Sequence, residues 1–201
     1  LKVIFNGIDT NYFHPPAEDI EQKELILKSR DENKTFSFAK NKPILSYATR
    51  GMEPLRGFPE FMRALPSAFE AVPNLNVVIA GADRCAYSYK APTHDGSWKR
   101  HLISEIQEKV PKNRIHFTGL LSYEDYRNLL WKSNLHCYFT YPYVTSWSFF
   151  EAASCNARLL SNHGPATSDI ATPGSSYWIN LENQDNINRT IASILQESVK
   201  Q

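Results

Sequence analysis

Cysteine is scarce in this chain, with three among 201 residues: Cys85, Cys137 and Cys155. They are odd in number, widely spaced and without a CxxC pair, which argues against a disulfide framework or a zinc site and fits a reducing, cytoplasmic setting. Net charge is equally low. Against 21 acidic side chains stand 22 basic ones, leaving +1. That is too little for a field that would hold nucleic acid or an anionic membrane non-specifically, so any anion site must be local. No apolar run approaches the roughly 20 residues a membrane helix needs. The opening LKVIFNGIDTNYF lacks the charged-then-apolar layout of a signal peptide, so the sequons at Asn33 and Asn188 read as chance matches. The six histidines form no metal-ligand pattern, no acidic metal-binding triplet is evident, and no internal repeat or low-complexity tract occurs.

What remains is an ordinary globular composition, 42% hydrophobic and 21% charged, rich in aromatics at 12%. At about 150 residues per domain the length implies one domain with little to spare. A chain of this size buries roughly 70% of its unfolded surface and needs no staple.

Short β-branched or aliphatic runs alternate with stretches at helical spacing, the pattern of a doubly wound, Rossmann-like parallel sheet flanked by helices. Strands are expected over 2–5, 43–48, 76–80, 114–118, 135–140 and 158–161. Helices are expected over 20–29 on a thin apolar stripe, 58–72 with Pro59 in its first turn and a kink at Pro66, 98–109, 122–132, 147–157 and about 187–195. Ser122 and Asp125 have the spacing of a capping box. The charged segment 30–42 reads as a connector, 82–97 as a long polar loop, and 141–145 as a turn around Pro142.

In such a sheet ligands bind at the carboxyl ends of the strands. Four segments fall there. The first, YATRGMEPLRG (47–57), sets Arg50 and Arg56 with Gly51 and Gly57 just past a buried strand. Guanidinium forks suit phosphate oxygens and glycines let backbone approach them, although the same composition suits a surface loop whose arginines pair with Glu53 or Glu60. The second, VTSWSFFE (144–151), clusters Thr145, Ser146 and Ser148 at a helix start that favours an anion. Glu151, one to two turns inside, needs hydroxyl or amide partners such as a ribose would offer; the plainer reading is Ser146 as an N-cap and Glu151 as a helix-face charge. The third and fourth, Gly81 to Arg84 and Thr118 to Leu121, are strand-end turns that fit a flat base or an ordinary turn alike. His163 could line the same site. The aromatic surplus, including Tyr87, Tyr89, Trp98 and Trp178, reads as core or loop packing.

Taken in order, these segments resemble the carboxyl-terminal half of a GT-B glycosyltransferase of the retaining family 4 type. VIFNGIDTNYFHP is similar to the family's NGVDxxxF linker, RGMEPLRGF to its GR…KG loop, and NVVIAGA and RIHFTGLLSYEDYRNLLWKSN to its later strands and base-binding turn. SFFEAASCNARLLSNHGPATSDI resembles EAMACGxPVI…GxxE. The resemblance implies a linker over 1–16 and a nucleotide-sugar-binding domain over 17–201, with the amino-terminal acceptor domain absent.

Residue by residue, it implies that Arg50 and Arg56 neutralise the donor diphosphate, Arg56 standing where the family has lysine and one position later. Glu151 matches the second glutamate of the family's pair spaced by seven residues and would hold the ribose hydroxyls. The first glutamate, which contacts the donor sugar, falls on Tyr143, and Asn156 and Arg158 replace the usual glycine and proline. Gly51, Gly81, Gly119, Leu120, Tyr143, Thr145, Ser146, Trp147 and Ser148 are the implied donor contacts.

The implied activity is metal-independent transfer of a sugar from a nucleotide diphosphate sugar to a glycan, lipid or small-molecule acceptor, with no cofactor. An intact enzyme acting on a lipid would sit peripherally at a membrane. The alternatives are a non-catalytic nucleotide-binding or interaction domain that keeps the fold, and a GT-B-shaped epimerase or phosphorylase.

Overall fold

A computed structural model describes residues 7–141, 145–164 and 176–200. The expected strand over 2–5, the turn at 142–144 and Tyr143 lie outside them. Eight strands are described. Leu25–Lys28 (β1) and Thr35–Phe38 (β2) form an antiparallel hairpin. Ile44–Gly51 (β3), Asn76–Ala82 (β4), Ile115–Gly119 (β5), Leu135–Tyr138 (β6), Leu159–Asn162 (β7) and Ser176–Ile179 (β8) form one sheet in the order β5-β4-β3-β6-β7-β8. Every pairing in it is parallel. The chain runs outward from β3 to β5, crosses back, and runs outward again from β6 to β8. This is the doubly wound Rossmann order, and its direction reverses between β3 and β6.

Strand alternation sorts side chains onto two faces. Leu45 and Tyr47 of β3, Val77 and Ile79 of β4, and Leu135 and Cys137 of β6 join one core with helices Phe58–Ala71 (α1), Trp98–Ile106 (α2) and the last helix, Gln184–Ser198. In α1 the residues Phe58, Phe61, Met62, Leu65 and Phe69 are buried at helical spacing, and Pro66 sits inside a helix that continues to Ala71. The opposite face carries Tyr123–Lys132 (α3), Trp147–Ser154 (α4) and the hairpin. Leu130, Tyr138, Phe149 and Ala152 share one cluster there; Leu25, Leu27, Phe38, Ile44, Val78 and Leu129 share the next.

The hairpin corrects two expectations. Residues 20–29 do not form a helix: only Ile20–Gln22 makes a 3-10 turn, and Leu25 and Leu27 are buried with Ile26 exposed between them, a period of two. The helical stripe would have put Lys23 and Glu24 on its apolar face, whereas the strand buries two leucines against α3. Residues 30–42 are not merely a connector, because they contain β2. Strand β8 was not expected. Helix α4 stops at Ser154, short of 157, where Asn156 takes a left-handed φ of 54°. The capping box is only half formed: Ser122 Oγ accepts from Asp125 N at 3.0 Å, but the Asp125 carboxylate accepts from Lys28 N of β1 at 3.2 Å and so ties hairpin to helix.

On the α3 and α4 face of β6, His136 is fully buried, its Nδ1 2.8 Å from Ser46 Oγ and its Nε2 without a partner among the described residues. Burial pushes its pKa down to about 3. The unfolded chain therefore takes up a proton below about pH 6.5 that the folded chain refuses. Stability present above pH 6.5 is expected to fall progressively toward pH 3, by as much as about 1.4 kcal/mol per pH unit from this group. His116, pushed down by burial as well, adds to the same trend. Urea denaturation at pH 7 and pH 5 checks this: the loss should shrink in His136→Gln, and an equal loss in both proteins would contradict it.

Candidate functional site

The reversal of strand order leaves a crevice above the carboxyl ends of β3, β4 and β6, and a cavity of about 510 Å³ occupies it. Strand β3 continues past β6, stays paired with β4 through a register shift between Ala48 and Gly51, and delivers Thr49 and Arg50. The 3-10 turn Pro54–Arg56 follows and delivers Arg56. Gly81, next to last in β4, takes φ 136°, where a Cβ would collide with the carbonyl oxygen of Thr49, so only glycine lets the two strand ends pass.

Both arginines face the cavity without acidic partners. Arg50 Nη1 donates to Tyr87 Oη at 3.2 Å. Arg56 Nη1 donates to Thr140 Oγ1 at 3.1 Å, and its guanidinium lies 5.6 Å from the centre of the Tyr87 ring. The ion pairs among the described residues involve neither. Glu53 and Glu60, the carboxylates available to pair with them, are used elsewhere: Glu53 accepts backbone amides of 86–88, and Glu60 accepts the Tyr141 hydroxyl at 3.0 Å.

Across the cavity stands the start of α4. Ser146 occupies the N-cap position but makes no side-chain cap bond. Its N and Oγ donate to Tyr138 Oη at 3.0 and 3.1 Å, and its Oγ lies 2.7 Å from Ser148 Oγ. With the hydroxyl diverted, the helix's first N–H groups are left without a side-chain cap. Glu151, one turn further, is 8% exposed and lines the cavity, and its carboxylate accepts no hydrogen bond among the described residues. Burial raises its pKa. A charge this deep calls for donors, and none of the described residues supplies one.

A third wall comes from the turn after β5. Gly119 has φ 66°, and a Cβ there would strike Asp31 of the hairpin loop. Asp31 Oδ1 accepts from Leu120 N at 2.9 Å, and Arg30 N donates to Leu120 O at 2.7 Å. The hairpin is thereby clamped to the turn, with Arg30 at the cavity.

The structure thus brings together Arg50, Arg56, Gly81, Leu120, Ser146, Trp147, Ser148 and Glu151. Gly51, Gly119 and Thr145 are not in the lining. Gly51 lies against the backbone of 84–86, Gly119 faces Asp31, and Thr145 is buried behind the start of α4. His163 is also outside the lining. Arg30, Tyr87, Tyr123, Tyr126 and Tyr138 line the cavity although no motif marked them. Three guanidinium groups and one carboxylate therefore face a cleft with exposed Trp147, Tyr87, Tyr123 and Leu120 at its margin. That layout offers positive charge at one end and a single acceptor carboxylate at the other.

A larger cavity of about 700 Å³ lies at the amino ends of the strands, with Lys42, Lys132 and Arg158 in its wall. Helix carboxyl termini converge there and disfavour an anion. Among the described residues no group of three or more His, Cys, Asp or Glu could hold a metal ion, and no helix is long and apolar enough to cross a membrane.

The sequence matches the family model described as glycosyl transferases group 1 over residues 29–201. No curated protein matches it. Among solved structures it is similar to the C-terminal domain of a glycosyl transferase group 1 family protein, LpcC, from Francisella tularensis, with TM-score 0.65 and 15% identity, covering 96% of this chain and 97% of that one. It is also similar to HepE from Anabaena in complex with UDP and glucose, with TM-score 0.67 and 17% identity over 99% of this chain and 51% of that one. A third is sucrose-phosphate synthase from Thermosynechococcus elongatus, with TM-score 0.59 and 15% identity over 96% of this chain and 46% of that one. The chain spans about half the length of the latter two.

Proposed function

This chain belongs to the glycosyl transferases group 1 family, and from that premise we propose that its domain binds the nucleotide diphosphate sugar donor of a retaining, family 4 type hexosyltransferase. One observation carries the reading: two guanidinium groups without acidic partners and a buried carboxylate without donors, among the described residues, face one cavity at the switch point of the sheet. The complex of HepE with UDP and glucose supports a nucleotide sugar as the ligand class.

In this reading Arg50, Arg56 and the start of α4 receive the diphosphate. Glu151 accepts from the ribose hydroxyls, and the turn at Leu120 and Leu121 borders the base. During transfer the bond from the sugar's anomeric carbon to the β-phosphate oxygen breaks, and its electron pair stays on the diphosphate. An acceptor oxygen bonds to that carbon on the same face, and its proton passes to the oxygen of the leaving diphosphate. The charge that develops on the leaving diphosphate is what the two arginines stabilise, needing no reorganisation because they are already in place. The acceptor, whether glycan, lipid or small molecule, belongs to an amino-terminal domain, so this domain alone binds donor but turns it over poorly.

Calorimetric titration with UDP, GDP and ADP, each free and as its glucose conjugate, tests the reading. Saturable 1:1 binding of at least one nucleotide, weakening as salt is raised, is expected. Absence of binding by all of them would overturn it.

A further inference from the structure

Two carboxylates are buried among the described residues, and the second, Glu53, lies beside the cavity rather than in it. It is wholly buried. Its Oε2 accepts three consecutive backbone N–H groups, from Ala86 at 2.7 Å, Tyr87 at 2.8 Å and Ser88 at 2.9 Å. Three consecutive amides on one oxygen fix the backbone of 86–88 to the Glu53 side chain, whose Oε1 has no partner among the described residues. The loop binds back as well: Ser88 Oγ accepts from Leu55 N at 2.9 Å. Residues 86–88 are thus stitched, by main chain and side chain, to the turn that carries Arg56.

What the stitched loop delivers is Tyr87. Its side chain is 58% exposed, so packing does not fix it; the anchoring comes through its own backbone. Its hydroxyl receives the hydrogen bond of Arg50, and its ring lies beneath the guanidinium of Arg56. Two like charges brought to one cleft repel each other, and free side chains would swing apart into solvent. A carboxylate between them would hold both and cancel their field. A tyrosine holds one by its hydroxyl and the other by its ring face and leaves both charges undiminished.

Building on the donor-site reading, we infer that Glu53 and Tyr87 are positioning residues that set the spacing of Arg50 and Arg56 for a nucleoside diphosphate. Neither need touch the ligand. Glu53 acts through Tyr87, and Tyr87 acts through the two arginines. The two therefore form one device, and losing either loses the whole of it.

The test titrates the chain and its variants with whichever of UDP, GDP or ADP the wild-type chain binds. Tyr87→Ala and Glu53→Ala are each expected to weaken binding about tenfold, and Tyr87→Phe, which keeps the ring, about threefold. The double variant should bind within about twofold of either single one, because each single change already disables the device. Glu53→Gln, which keeps an acceptor oxygen toward the three amides, should recover part of the loss, and it carries the test together with the exposed Tyr87 if Glu53→Ala fails to fold. Losses that multiply in the double variant, or variants that melt earlier yet bind as wild type, would overturn the inference. If Arg50→Ala loses the nucleotide while Tyr87→Ala and Glu53→Gln keep it, the donor reading stands and this inference alone falls. If no nucleotide binds the wild-type chain, both fall.

Discussion

Alanine at Arg50 or Arg56 is expected to cut nucleotide diphosphate affinity by about 10- to 100-fold at each position, with little change in thermal stability for Arg50. A hydrogen bond to a charged group is worth about 1.5–3 kcal/mol, and about 1.4 kcal/mol is tenfold in affinity. Neither side chain has an acidic partner among the described residues to soften the loss. Arg50 is exposed and, among the described residues, its side chain bonds the Tyr87 hydroxyl alone, so its removal costs the free protein little. Arg56→Lys keeps the charge but gives up the fork and the stacking on Tyr87, and should fall between wild type and alanine. The salt dependence of binding should flatten in both alanine variants. Calorimetry at two ionic strengths checks all of this. A change of less than twofold at both positions would remove the arginines from the site.

Glu151→Gln is expected to move binding and stability in opposite directions. In the free protein the carboxylate is 8% exposed, accepts no hydrogen bond among the described residues, and has its pKa raised by burial. Such a group is a liability to the fold. Neutralising it should stabilise the chain by about 1 kcal/mol, or about 2–4 °C in a domain of this length.

The nucleotide, by contrast, loses a charged acceptor for its ribose hydroxyls, and affinity should fall about tenfold or more. The sign with pH follows. Because the folded pKa lies above the unfolded one, this residue destabilises the fold at neutral pH, and that penalty is relieved as pH falls through the raised folded pKa toward 4.5. Nucleotide affinity weakens over the same fall, as the acceptor is lost. A 2′,3′-dideoxynucleotide closes the cycle, since wild type should discriminate against it and Glu151→Gln should not. If the variant melts earlier and binds as wild type, Glu151 is a structural residue.

The segments that carry these two effects were legible because each is local. Buried runs ending near Gly81 and Gly119 marked strand ends; Arg50 and Arg56 lie within a few residues of the end of β3, and Glu151 lies in the helix that follows β6, where a doubly wound sheet gathers its ligands. What could not be read is non-local. The hairpin hides in 20–42 because Leu25 pairs with Phe38, 13 residues away, and a thin helical stripe over 20–29 competes with an alternation only four residues long. Arg30 reaches the cavity only because Asp31 and the Arg30 backbone clamp onto Leu120.

Tyr87 sits in a polar loop and becomes a site residue through a carboxylate 34 positions earlier. Gly51 and Gly119 show the converse. Their place at strand ends suggested contact with phosphate or base, but each instead makes room for another part of the chain: the backbone of 84–86 beside Gly51 and Asp31 beside Gly119. The N-cap reading of Ser146 held for position and not for bonding, because Tyr138, eight residues upstream, takes its N–H and hydroxyl.

The central claim is that the cavity at the carboxyl ends of β3, β4 and β6 is a nucleotide diphosphate site, and a crystal structure of the chain soaked with its best-binding nucleotide tests it most directly. The expected result is a diphosphate within hydrogen-bond distance of Arg50 and Arg56 and ribose hydroxyls on the Glu151 carboxylate. A nucleotide seated instead at the amino ends of the strands, against Lys42, Lys132 and Arg158, would contradict it.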